Sequence, residues 1–118
     1  MTKLWKIVSL VVAMVSLAPL QSWAAELIMI NHPACPYCVQ FNSEVLPGYA
    51  NTGAGKQAPL RQVTLSAKWP ADLAGIRPVY FTPVFILVED GREVGRFAGY
   101  FEKEFFWGQL DQLLAKSG

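Results

Sequence analysis

The stretch INHPACPYCVQF, residues 30–41, holds both cysteines of the chain, Cys35 and Cys38, with Pro36 and Tyr37 between them. One such pair can serve three chemistries. A structural disulfide between residues i and i+3 closes a very small loop and restrains the unfolded chain little. A tetrahedral zinc site needs four ligands, whereas this sequence offers two thiols and a single histidine, His32. Two thiolates suffice for Cu(I), so a copper-binding carrier stays open, although Pro36 stiffens the loop that a metal-transfer site has to open. The remaining chemistry is a redox-active dithiol that cycles between thiol and disulfide.

The elements around the pair decide how it is presented. ELIMI is a short apolar run whose residues Leu27–Ile30 suit a buried strand. CPYCVQFNSEVLPG predicts a helix opening at Cys35, with Pro36 at the first helical position, where its missing N–H costs nothing. Cys38, Phe41 and Val45 then share one face, and Pro47-Gly48 ends or kinks the helix. Cys35 falls at the helix N-terminus, where unpaired N–H groups and the macrodipole favour an anion, so its thiolate is favoured and it becomes the attacking sulfur. Cys38 sits one turn along, on the inner face.

Downstream, NTGAGKQAP predicts a polar, glycine-rich loop, and LRQVTL (Leu60–Leu65) a second strand. Asp72 to Ile76 suggests one helical turn. VFILV (Val84–Val88) is the continuous pattern of a central strand covered on both faces. Asp90-Gly91 predicts a hairpin into EVGRFAG, on which Arg92 and Arg96 are expected as solvated charges. A last helix places Phe106, Leu110, Leu113 and Leu114 on one apolar face. The fold class is therefore α/β: βαβ, then ββα, a mixed four-stranded sheet with flanking helices. Among the aromatics, Phe106 is expected in the core. Phe105, Trp107, Tyr100 and the pair Tyr80-Phe81 are expected to pack against core or sheet edge rather than to form a recognition rim.

Cys35-Pro36-Tyr37-Cys38 resembles the glutaredoxin form of the thioredoxin-superfamily active site, and Thr82-Pro83 in FTPVF resembles the superfamily's second signature. The resemblance implies a minimal thioredoxin-like fold over residues 25–118 and a cis Pro83 facing the cysteines, with Thr82, Pro83 and Tyr37 contacting substrate. Gly99 also falls where the family carries a glycine. With the leader, RPVYFTPVFIL, GREVGRFAGY and EFFW, the chain is most similar to thioredoxin-like regulatory proteins of bacterial sulfur-oxidation operons. Those are periplasmic reductases that keep a partner's cysteine active. The implied partners are a protein with a reactive disulfide or cysteine and a membrane thiol-reductant donor, and no cofactor is needed. Disulfide donation, as an oxidase, is the opposite direction of the same chemistry.

Two departures from the family pattern stand out. Met29 occupies the position, six residues before the first cysteine, where thioredoxins bury an aspartate. AGYF lacks the Gly-Gly with which glutaredoxins hold glutathione, so a protein electron donor is expected instead. His32, three residues before Cys35, could modulate the thiolate or relay a proton, or its ring could simply serve the turn.

The N-terminus predicts where this chemistry takes place. MTKLWK carries two lysines and no acid, Ile7–Leu20 is uncharged and largely apolar, and Ser22 and Ala24 occupy the small-residue positions of a signal peptidase site. The apolar run is short for a membrane-spanning helix. Cleavage after Ala24 removes 24 of the 118 residues and leaves 94, one small domain that is not membrane-embedded. It also explains the 53% hydrophobic content, which the leader inflates. Losing Lys3 and Lys6 takes the formal charge from +1 to −1, and the remaining cations are scattered, which argues against nucleic acid as a partner. Export to the periplasm suits a protein whose cysteines must be able to form a disulfide. The mature protein is predicted to start at Ala25 and to be released with the periplasmic fraction. N-terminal sequencing of an intact leader from the membrane fraction would contradict this.

Overall fold

The computed structural model describes residues 25–117, so the leader expected over residues 1–24 lies outside the described residues. Strands β1 (Glu26–Asn31), β2 (Leu60–Thr64), β3 (Val84–Glu89) and β4 (Arg92–Ala98) form one sheet in the order β2-β1-β3-β4. β1 runs parallel to β2, to which it is joined through helices, and antiparallel to β3; β3 and β4 form the hairpin. Its turn places Asp90 and Gly91 at φ 53° and 77°, the left-handed pair that Asp-Gly tolerates best. The mixed sheet with flanking helices is the architecture expected from the element order.

The central strands are buried on both faces, and their alternate residues feed two separate cores. Leu27, Met29, Phe85 and Leu87 face the helices: α1 (Pro36–Glu44), α2 (Leu46–Tyr49), α3 (Gly53–Gln57) and α4 (Lys103–Lys116). Phe41 is the hub of this layer. Its ring centroid lies 5.0 Å from Phe85, 5.0 Å from Phe106 and 5.6 Å from Tyr100, so α1 is fastened to the sheet, to α4 and to the segment after β4. α1 ends at Glu44 because Pro47 has no N–H to continue the ladder, and the chain bends at Val45 into α2.

One segment differs from expectation. The glycine-rich residues 51–59 contain a helix, α3, rather than a loop throughout. Thr52 caps it, its Oγ1 accepting the Gly55 N–H at 2.9 Å. Gly55 is required there, since a Cβ would lie 1.8 Å from the Tyr49 carbonyl oxygen. Glycine in this case permits close packing rather than signalling a turn.

The second face, Ile28, Ile30, Val63, Val84, Ile86 and Val88, is covered by no α-helix among the described residues. The connection between β2 and β3 covers it, through Leu73, Trp69, Ile76 and Val79, with only the 3₁₀ turn Ala71–Leu73 as regular structure. Arginines on both edge strands tie this irregular segment down. Arg61, opposite Ile28, reaches Asp72 at 2.7 Å and Glu26 at 2.7 Å. Arg96, opposite Ile86 and therefore on the same face, donates to the Arg77 and Pro78 carbonyls at 3.0 and 3.1 Å. Arg96 is thus a partly buried clamp, not the solvated hairpin charge that its edge-strand position suggested.

Glu93 holds Arg96 in place through both carboxylate oxygens, at 2.6 and 2.7 Å, and also accepts from Arg77 at 2.8 Å. The Arg96 hydrogen bond, above all, brings its pKa from the ordinary 4.5 down to about 2. A carboxylate whose pKa is lower in the folded than in the unfolded state stabilises the fold above the unfolded value, and that contribution disappears as pH falls through the folded value. Urea-unfolding midpoints of the oxidised protein should therefore decline from pH 4.5 toward pH 2, and Glu93→Gln should flatten that decline. An identical pH slope in the variant would show that Glu93 carries none of it.

Candidate active site

The C-terminal end of β1 delivers the chain into a tight turn before α1. The Cys35 N–H donates to the His32 carbonyl at 3.1 Å, and the Ala34 N–H donates to His32 Nδ1 at 3.1 Å. That bond uses Nδ1 as an acceptor. His32 therefore shapes the turn with both its backbone and its ring.

Cys35 is the N-cap of α1, with extended backbone (φ −96°, ψ 105°), and Pro36 follows as the first helical residue. Its Sγ accepts the Cys38 N–H at 3.1 Å, which puts the sulfur in the cap position usually held by a serine or aspartate oxygen. Cys35 and Cys38 are joined as a disulfide with their Cα atoms 5.3 Å apart. Cys38 is only 2% exposed and belongs, with Phe41 and Met29, to the helix-side core.

Two depressions flank the pair. A hollow of about 240 Å³ is lined by Cys38 together with Asn31, His32, Pro33, Val39 and Asn42. Its polar walls are organised: Asn31 donates to Gln62, Gln62 donates to Asn42, and Thr64 donates to Asn31. Met29 is fully buried, and the polar side chains lining the hollow beside Cys38 are the amides of Asn31 and Asn42 and the His32 imidazole. The second depression, a groove of about 310 Å³, runs between Tyr37 of α1, the segment Phe81-Thr82-Pro83, and Gly99 and Phe101 beyond β4. The Thr82-Pro83 peptide is cis, and the Gly99 N–H donates to the Pro83 carbonyl at 2.8 Å. Gly99 has φ 86°, a conformation that favours glycine.

The structure thus gathers the residues singled out from sequence into two groups. Cys35, Cys38 and His32 meet at the β1–α1 turn, while Tyr37 faces Thr82 and Pro83 across the groove. Around that groove the aromatic expectations need partial correction. Tyr100 is buried, Trp107 stacks on Tyr49, and Phe105 packs on Phe97 and Phe101. Tyr80 and Phe81, however, are 82% and 58% exposed, and Phe101 is 68% exposed. They form an apolar rim instead of packing into core or edge. Phe101 was the residue missed: it adjoins Tyr100, and nothing in YFEKEFFW shows which of the two turns inward.

Comparison with known proteins agrees with this geometry. A family model described as a thioredoxin-like domain matches residues 21–114. The chain belongs to the thioredoxin-like family. On that fold the Cys35–Cys38 pair makes it a thiol–disulfide oxidoreductase. Among solved structures, it is similar to the periplasmic thioredoxin SoxS from Paracoccus pantotrophus in its reduced form, at 36% identity and a TM-score of 0.75. That alignment covers 78% of this chain and 97% of the other. No curated protein sequence matches the chain significantly.

Proposed function

We propose that the chain is an exported reductase of disulfides on periplasmic partner proteins, with Cys35 as nucleophile and Cys38 as resolving thiol. The observation that carries this reading is the Cys35 sulfur at the N-cap of α1, accepting the Cys38 amide, with Cys38 one turn further along the helix. An N–H that already donates to neutral sulfur donates more strongly to a thiolate, and the helix terminus adds its dipole. In the reduced protein the Cys35 thiolate attacks one sulfur of the substrate disulfide, forming a mixed disulfide and expelling the other substrate sulfur as thiolate. Cys38 gives up its proton, by way of the adjoining polar hollow, to the substrate thiolate already expelled, and then attacks Cys35 Sγ. The Cys35–Cys38 bond forms, the second substrate thiolate leaves, and two electrons have passed to the substrate. A thiol donor, for which a membrane thiol-reductant protein is suited in an oxidising compartment, returns two electrons.

Tyr37, Thr82 and Pro83 are proposed to bind the substrate segment, because they line the groove beside the pair and its rim is apolar. His32 is proposed to act on the pair through the turn it holds, and its ring also lines the hollow beside Cys38. Cleavage of the leader after Ala24 and periplasmic residence are supported by the leader pattern and by the similarity to a periplasmic thioredoxin. The resemblance to regulators of sulfur-oxidation operons suggests a sulfur-oxidation protein as the partner.

The direction follows from how strongly the thiolate is stabilised. No lysine or arginine lies within the CxxC or its immediate flanks, so the helix terminus acts without a cationic neighbour. A middling potential is expected, on the order of −190 to −240 mV, against about −120 mV for a strong oxidant of this superfamily. Equilibration with glutathione measures it, and a value above roughly −150 mV would make the protein a disulfide donor. Division of labour is tested by trapping. Cys38→Ser should accumulate covalent complexes on Cys35, and Cys35→Ser should form none. The reverse pattern would reassign the nucleophile.

A further inference from the structure

Tyr80 and Phe81 project into solvent immediately before the groove, so burial does not hold them where they are. They belong to a four-residue bridge, Val79–Thr82, which is fixed at its ends. At the far end, the Pro83 carbonyl accepts the Gly99 N–H at 2.8 Å. At the near end Val79 packs on the second core, and just before it the Arg96 guanidinium donates to the Arg77 and Pro78 carbonyls at 3.0 and 3.1 Å. Arg96 is in turn held by both oxygens of Glu93, whose side chain is only 9% exposed. Its Nε and both terminal nitrogens are all engaged, which a planar fork can do and a lysine ammonium cannot.

We propose that Arg96 is a positioning residue for protein substrates: by gripping carbonyls 77 and 78 it sets the path of Val79–Thr82 and so the wall of the substrate groove. This extends the reductase reading, on which it rests. Arg96 is on β4, paired with Ile86 on the face away from α1, and acts through the loop. Its loss should therefore affect large substrates that lie along the groove, and spare a small disulfide that has to reach only the Cys35 sulfur, 6% exposed at the head of α1.

Reduction of insulin and of hydroxyethyl disulfide, compared in Arg96→Met, Arg96→Lys and Glu93→Gln, tests this. The two arginine variants should raise KM for insulin about five- to tenfold with kcat nearly unchanged, since a loosened wall costs binding through lost preorganisation. Lysine should not rescue, because it lacks the fork. Glu93→Gln, which keeps Arg96 but removes one of its anchors, should show the same split to a smaller degree, and it serves if an arginine variant does not fold. Rates with hydroxyethyl disulfide and the equilibrium constant with glutathione should stay within about twofold of the parent. An unchanged KM for insulin, full rescue by lysine, or a parallel loss on both disulfides would overturn the assignment to Arg96. Failure of the parent protein to reduce insulin at all would instead overturn the reductase reading, and this proposal with it.

Discussion

A single hydrogen bond, from the Cys38 amide to the Cys35 sulfur, sits at the centre of this molecule's chemistry. It makes a cysteine do the work of an N-cap residue, placing the sulfur where a helix has spare N–H groups and the positive end of its dipole. The same arrangement separates the two thiols. Cys35, 6% exposed, caps the helix and Cys38, 2% exposed, lies one turn on; both belong to the helix-side core. An identical pair on an exposed loop would offer two equivalent sulfurs; here only the Cys35 sulfur accepts a helix N–H.

Everything that holds α1 in register serves that bond. Phe41, three residues beyond Cys38, meets Phe85 of β3, Phe106 of α4 and Tyr100, so three parts of the chain fix the rotation of the helix about its axis. The turn before it is closed from the other side by His32, which accepts two backbone N–H groups through its carbonyl and Nδ1. The opposite face of the sheet has a different task. It carries the long connection that ends at Thr82-Pro83, and arginines on the two edge strands fasten that connection where apolar contact is sparse. Helix-side packing thus sets the sulfurs, and connection-side polar contacts set the groove wall beside them.

The features legible in the sequence were those with local physical signatures. Pro36 marked the start of α1, so Cys35 could be placed at its terminus; Asp90-Gly91 marked the hairpin; the spacing of Phe106, Leu110 and Leu113 marked the buried face of α4. What escaped depends on partners distant in sequence. Arg96 looks like any edge-strand cation until its pairing with Ile86 shows that it faces the covered side. Gly55 looks like a loop residue until the Tyr49 carbonyl is placed against it. Tyr80 and Phe81 read as apolar and hence packed, and Phe101 went unread beside Tyr100, yet all three are exposed. Composition cannot tell an aromatic that fills a core from one that waits for a partner.

A stabilised thiolate at Cys35 is the first requirement of the proposed mechanism, and titrating that sulfur tests it most directly. In the reduced protein, the rate of Cys35 alkylation by iodoacetamide should be followed against pH, with Cys38 replaced by serine so that only one thiol reports. The midpoint should fall below the ordinary thiol value of about 8.5, because the helix amides and dipole favour the anion. A midpoint at or above that value would mean that the N-cap position confers no reactivity on Cys35, and the proposed mechanism would fail at its first step.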